Sequence, residues 1–160
     1  MSIQVGDHLP QVTFRVNGPE GPQAKTTDDL FKGRRVVLVG VPGAFTPACH
    51  RNHLPGFVEK QDEIRARGID AIAVTAVNDV FVLTAWQEAT GAGTIEFLAD
   101  GNAEFARATG LDLDGTGFGL GPRSQRYAML VEDGVVQVLN VEDSPSKAEV
   151  SGAEALLKVI

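Results

Sequence analysis

A chain of 160 residues with 43% apolar content is long enough for one domain around one core, residues 1–160, and its 22% charged residues are too evenly mixed for a disordered tail or interdomain linker. The formal net charge of −7 argues against nucleic acid as a partner, because phosphate binding needs clustered Lys and Arg. No stretch nears the roughly 20 apolar residues of a membrane span, Met1–Pro10 lacks the pattern of a secretory signal, and a single cysteine cannot form an internal disulfide, so a cytoplasmic protein without membrane partners is expected.

In chain order, Arg35–Val41 is a run of β-branched and aliphatic residues, as expected for a strand buried on both faces. It stops at Pro42-Gly43. Thr46 then stands at an N-cap position with Pro47 at the first helical position, which predicts a helix to about Arg67, ended by Gly68 and bent near Pro55. Ile69–Thr75 reads as a second buried strand, Asn78 as the cap of a helix over Asp79–Ala89, and Ile95–Ala99 as a third strand. Asn102 is expected to cap a short helix to Ala108, before a glycine-rich loop from Gly110 to Gly121. Arg126–Val131 and Val135–Val141 form a hairpin turning at Asp133-Gly134, and Ala153–Lys158 a terminal helix. This order predicts an α/β, thioredoxin-like fold: a central mixed sheet with helices on both faces, its parallel strands first and an antiparallel edge last.

Ligands of open α/β sheets gather beyond the carboxyl ends of the strands, which places Pro42–Cys49 first among candidate sites. Cys49 falls in the first helical turn, where unpaired N–H groups and the positive end of the helix dipole favour thiolate, the nucleophilic form. An isolated free cysteine is more often a buried hydrophobe, and the flanking Thr46 and Pro47 are what favour chemistry here. His53, four residues on, could share a helix face with Cys49, but two ligands do not make a zinc site and no second cysteine or spaced His pair completes one. A Cys-His hydrolase would use the same pair, although His53 reads better as a pocket wall or a helix-surface residue than as a base. Thr46-Pro47-Ala48-Cys49 argues against thioredoxin-type exchange, because the second cysteine of a Cys-x-x-Cys is missing there.

The run Pro42-Gly43-Ala44-Phe45-Thr46-Pro47-Ala48-Cys49 resembles the P-x-x-x-T-x-x-C motif of the peroxiredoxins. The resemblance is closest to the peroxiredoxin 5 (type II, atypical) subfamily and extends through His53-Leu54-Pro55-Gly56-Phe57, Phe97–Asn102 and Gly119–Tyr127. It implies a thioredoxin-like fold, reduction of hydrogen peroxide and organic hydroperoxides without metal or organic cofactor, and a homodimer with active-site loops near the interface. Carried over by position, Cys49 would be the peroxidatic nucleophile that becomes a sulfenic acid. Thr46 would bridge thiolate and peroxide through its hydroxyl. Arg123, rather than its nearest competitor Arg126, would supply the fixed positive charge. Pro42 would shield the sulfur, with Gly43, Phe45, His53 and Phe118 completing the substrate pocket.

Many members of that subfamily carry a resolving cysteine near the carboxyl terminus, which Gly134–Ile160 lacks. One-cysteine chemistry follows as the expectation, with the sulfenic acid reduced by an external thiol such as glutathione with glutaredoxin, or thioredoxin. His50 stands where many members have Ser and is expected to alter pocket polarity. The competing reading is a redox sensor or binding protein governed by Cys49 oxidation. Such a protein could dispense with Thr46 and an arginine placed to lower a barrier.

Overall fold

The computed structural model describes residues 2–160. Three parallel strands form the centre of a seven-stranded sheet: β3 (Arg35–Gly40), β4 (Ala71–Ala76) and β5 (Glu96–Ala99). The hairpin β8 (Tyr127–Glu132) and β9 (Val135–Val141) runs antiparallel beside β3. Its turn places both Asp133 (φ 48°) and Gly134 (φ 79°) in the left-handed region, as a two-residue hairpin requires. A second hairpin, β1 (Thr13–Gly18) and β2 (Gly21–Thr26), extends the sheet past β5, giving the order β2-β1-β5-β4-β3-β8-β9. The sequence carries no clear signal for these strands, because β2 is an exposed edge carrying Pro22 and shows little apolar alternation.

Alternate residues of the central strands feed two separate cores. Val37, Val39, Ile72, Val74 and Leu130 pack beneath α2 (Leu54–Arg65), α3 (Val80–Thr90) and α5 (Ala153–Leu157), with Phe57, Leu83, Trp86 and Leu156 from the helices. On the opposite face, Val36, Leu38, Ala73, Met129 and Val131 meet α1 (Thr27–Phe31) and α4 (Glu104–Thr109) through Leu30, Phe31 and Phe105. The fold is thus the expected mixed sheet covered on both sides.

Three local expectations change. Asp79, not Asn78, caps α3, its carboxylate accepting from the Val82 N–H, while the Asn78 amide oxygen accepts from the Ala44 N–H and pins the loop after β3. Nor does Asn102 cap α4: the buried Asp100 carboxylate takes the N–H groups of Phe105 and Ala106. The glycine-rich loop carries its own small ladder, β6 (Asp112–Asp114) against β7 (Pro122–Ser124).

Helical backbone begins at Pro47, as expected, but Cys49–His53 is a π turn closed by the Leu54 N–H donating to the Cys49 carbonyl. Pro55 explains it. Proline has no N–H to return to Arg51 and its ring would strike that carbonyl, so the chain widens by one residue immediately before it. The expected bend is this turn, and it carries both Cys49 and His53.

Candidate active site

Cys49 is completely buried (0% exposed) at the carboxyl end of β3, in the turn between the strand and α2. The Thr46 carbonyl accepts from the His50 N–H, so Thr46 does start the helix. Its hydroxyl donates to the Gly43 carbonyl at 2.7 Å. With its one proton committed there, the Thr46 oxygen offers only lone pairs to a ligand, so in this state it accepts and does not bridge.

The group facing the sulfur is Arg126. Its Nη2 donates to Cys49 Sγ at 3.0 Å, and the side chain is 2% exposed. Nε and Nη2 also donate to the Pro145 carbonyl at 3.0 and 2.9 Å, and Nη1 to His53 Nδ1 at 3.0 Å. Among the described residues the salt bridges involve Arg34, Arg35, Lys60 and Lys147, so this buried guanidinium has no carboxylate partner. A desolvated cation in that position is stabilised by whatever anion forms beside it, and Sγ is the atom it meets.

His53, 1% exposed, has both ring nitrogens engaged, since Nε2 donates to the Ser151 carbonyl at 2.9 Å while Nδ1 accepts from Arg126. Burial pushes its pKa down from 6.5 to about 4, the Ser151 contact opposing and the Arg126 charge reinforcing the shift. A neutral imidazole whose lone pair already holds an arginine proton cannot deprotonate Cys49. The Cys-His hydrolase arrangement is therefore absent.

This fold and this cysteine can be set beside known proteins. The Redoxin family matches residues 4–157. Over 165 residues the chain is 48% identical to Peroxiredoxin-2E-2, chloroplastic, of Oryza sativa subsp. japonica, covering 99% of this chain and 73% of that protein. The chain is a peroxiredoxin. Reduced Prx3 from Vibrio vulnificus in complex with H2O2 superposes with a TM-score of 0.93 at 49% identity, covering 98% of both chains. Peroxiredoxin 5 from Alvinella pompejana does so with 0.86 at 34%, over 98% of this chain and 96% of that one. As a peroxiredoxin, the protein is a thiol-dependent peroxidase, and its lone cysteine makes it a one-cysteine variant.

The resemblance implies Arg123 as the fixed positive charge of the pocket, whereas the guanidinium on the sulfur is that of Arg126. Arg123, in β7, turns its Nε to the Leu120 carbonyl (3.0 Å) and its Nη1 to the Pro42 carbonyl (3.4 Å). It lies so close over Gly43 that a Cβ there would sit 2.6 Å from Nη1 and 3.2 Å from Thr46 Cγ2, which makes Arg123 a lid on the loop. The physical reason is register. Tyr127 pairs with Gly40, so the residue before it reaches the end of β3 where the Cys49 loop begins. Arg123 belongs to the separate β6–β7 ladder.

Pro42 and Gly43 are buried beneath that lid. Phe45 is 48% exposed with φ 63°, its ring 5.6 Å from His50. Phe118, in a single 3₁₀ turn over Thr116–Phe118, is 84% exposed and points to solvent rather than closing the pocket. His50 accepts from the Trp86 indole N–H at 3.1 Å through Nδ1, which satisfies the only polar atom of a buried indole side chain.

Proposed function

We propose that the protein reduces hydrogen peroxide and organic hydroperoxides with Cys49 as nucleophile, Arg126 as the fixed positive charge and Thr46 as the acceptor that orients the substrate. The observation that supports this reading is the Arg126 guanidinium, buried, without a carboxylate and 3.0 Å from Cys49 Sγ. Four of its five N–H groups are placed on Pro145, His53 and Cys49, which leaves one on Nη1 to meet a peroxide oxygen.

The Cys49 thiolate attacks the terminal peroxide oxygen, the O–O bond breaks, and the sulfur becomes a sulfenic acid while the second oxygen leaves as water or alcohol after taking a proton. Negative charge moves from sulfur to the departing oxygen, and a guanidinium presenting N–H groups to both atoms stabilises that transfer more than the ground state. The peroxide O–H donates to Thr46 Oγ, whose own proton is held by Gly43. No step calls for a metal or organic cofactor.

A free thiol then attacks the sulfenic sulfur, releasing water and leaving a mixed disulfide, and a second thiol releases Cys49. Glutathione with glutaredoxin is the proposed reductant, thioredoxin the competing one, and the cytoplasm the compartment that supplies them. A homodimer is proposed as the working unit. The exposed rings of Phe45 and Phe118, on loops flanking the site, support a partner surface there.

The test is hydrogen peroxide consumption with excess glutathione and glutaredoxin, native against Cys49→Ser, with mass spectrometry for a glutathionyl adduct. Turnover confined to the native protein, with the adduct on Cys49, is expected. Equal rates for the two proteins, with thioredoxin also supplied, would refute the assignment.

A further inference from the structure

Two carbonyls of one segment hold the Arg126 guanidinium, one directly and one through His53. The Pro145 carbonyl takes two of its N–H groups directly, and the Ser151 carbonyl fixes His53, whose Nδ1 takes a third. Residues 142–151 leave the end of β9 and wrap back over α2. One side chain closes that loop on itself. The Glu142 carboxylate accepts, through the same Oε2, both the Ser151 N–H and the Ser151 hydroxyl, each at 2.7 Å, across nine positions of chain. Glu142 is 7% exposed and Ser151 fully buried, and the Glu142 N–H donates to the Arg126 carbonyl at 2.9 Å. One end of the strut is therefore tied to the backbone of the arginine whose side chain the other end helps to hold.

We infer that Glu142 and Ser151 are positioning residues of the peroxidatic site, a loop-closing strut that aims the Pro145 and Ser151 carbonyls and so sets where the Arg126 guanidinium meets Cys49. The inference rests on the reading of Arg126 given above. Ser151 N–H and hydroxyl need an acceptor and not a charge, so Gln at position 142 can replace Glu, while Ala opens the loop. With the loop open the Ser151 carbonyl drifts from His53 Nε2, the ring is held only by the Arg126 N–H on Nδ1, and Arg126 loses a fixed acceptor. Angstrom-scale misplacement of such a group costs on the order of a hundredfold in rate.

The experiment compares Glu142→Ala, Glu142→Gln and Ser151→Ala with the native protein in two readouts: the single-turnover rate of Cys49 oxidation by hydrogen peroxide, and the ¹⁵N shifts of the His53 ring. Glu142→Ala is expected to lose at least tenfold in rate and to shift the His53 Nε2 resonance as its bond to the Ser151 carbonyl is lost. Glu142→Gln is expected to stay within about threefold of native with native ring shifts, and Ser151→Ala, which keeps its backbone N–H, to fall between. A native-like rate in Glu142→Ala, or an unmoved His53 Nε2 resonance there, overturns the inference. So does a loss in Glu142→Gln equal to that in Glu142→Ala. Should Glu142→Ala fail to fold, the Gln and Ser151→Ala pair decides, since a strut ranks them and an incidental contact leaves both at the native rate. The ring shifts stand apart from activity: a native protein that failed to react with peroxide would remove the peroxidase reading while leaving the strut measurable.

Discussion

Two arginines three residues apart stand near Cys49, and exchanging each tests which one acts on the sulfur. Arg126→Lys keeps a buried cation but replaces a planar fork with a single ammonium, which cannot reach Pro145, His53 and Cys49 together from the positions Nε, Nη1 and Nη2 occupy. Losing one preorganised donor at a charge-developing centre costs about 2.7–4 kcal/mol of barrier, or roughly 10²–10³ in rate. Arg126 is buried to 2% exposure, so solvent does not screen that value away. Arg123→Ala removes bonds to two carbonyls, Leu120 and Pro42, neither of which reacts. At about 1 kcal/mol for such a contact, acting only through the loop, the expected loss is less than about fivefold. The assay is stopped-flow oxidation of Cys49 by hydrogen peroxide, in competition with a haem peroxidase of known rate, with near-ultraviolet circular dichroism to verify packing. A larger loss for Arg123→Ala than for Arg126→Lys, in proteins that both remain packed, would refute the assignment.

Acid stability should report His53. Its pKa is about 4 in the fold and 6.5 in the open chain, so between those values the unfolded state binds more protons and stability falls as pH drops through that window. By pH 4.5 the native protein should have lost about 2–3 kcal/mol more than His53→Gln, relative to pH 7.5, by urea denaturation; parallel curves would show that His53 is not held neutral. Gly40→Ala should be destabilising, because a Cβ at that position would overlap the buried Tyr127 ring. Overpacking of that kind costs about 1–3 kcal/mol, and an unchanged melting temperature would mean that Tyr127 has room to move.

The elements legible in the sequence are those whose environment is uniform. β3, β4 and β8 are buried on both faces and read as unbroken apolar runs. β1 and β2 are half exposed, and β6 and β7 are three residues each, too short to show a period inside a glycine-rich stretch. A signal for α1 was present in the capping box between Thr26 and Asp29, each accepting the other's backbone N–H. The caps assigned to Asn78 and Asn102 failed for a related reason: when several Asx residues cluster before a helix, the carboxylate wins, as Asp79 and Asp100 show.

The site divides along the same line. Thr46, Pro47 and Cys49 are contiguous, so local rules of helix initiation locate them. Arg126 is 77 positions from Cys49, and only strand register brings the two together. Register could nonetheless have been read. Arg126 directly precedes the apolar run of β8, whose antiparallel pairing with β3 forces its first residues to the carboxyl end of β3, beside the cysteine loop. Arg123 lies three residues earlier, in a strand that pairs with no central strand. A motif lists both as basic residues near a cysteine, whereas the pairing of Tyr127 with Gly40 distinguishes them, because only one of the two has its backbone held where a guanidinium can reach a buried sulfur. That same pairing requires Gly40 to lack a side chain, since the Tyr127 ring fills the space. The glycine ending the first central strand, which the sequence shows only as part of the Arg35–Val41 run, thus sets the seat of the residue next to the arginine.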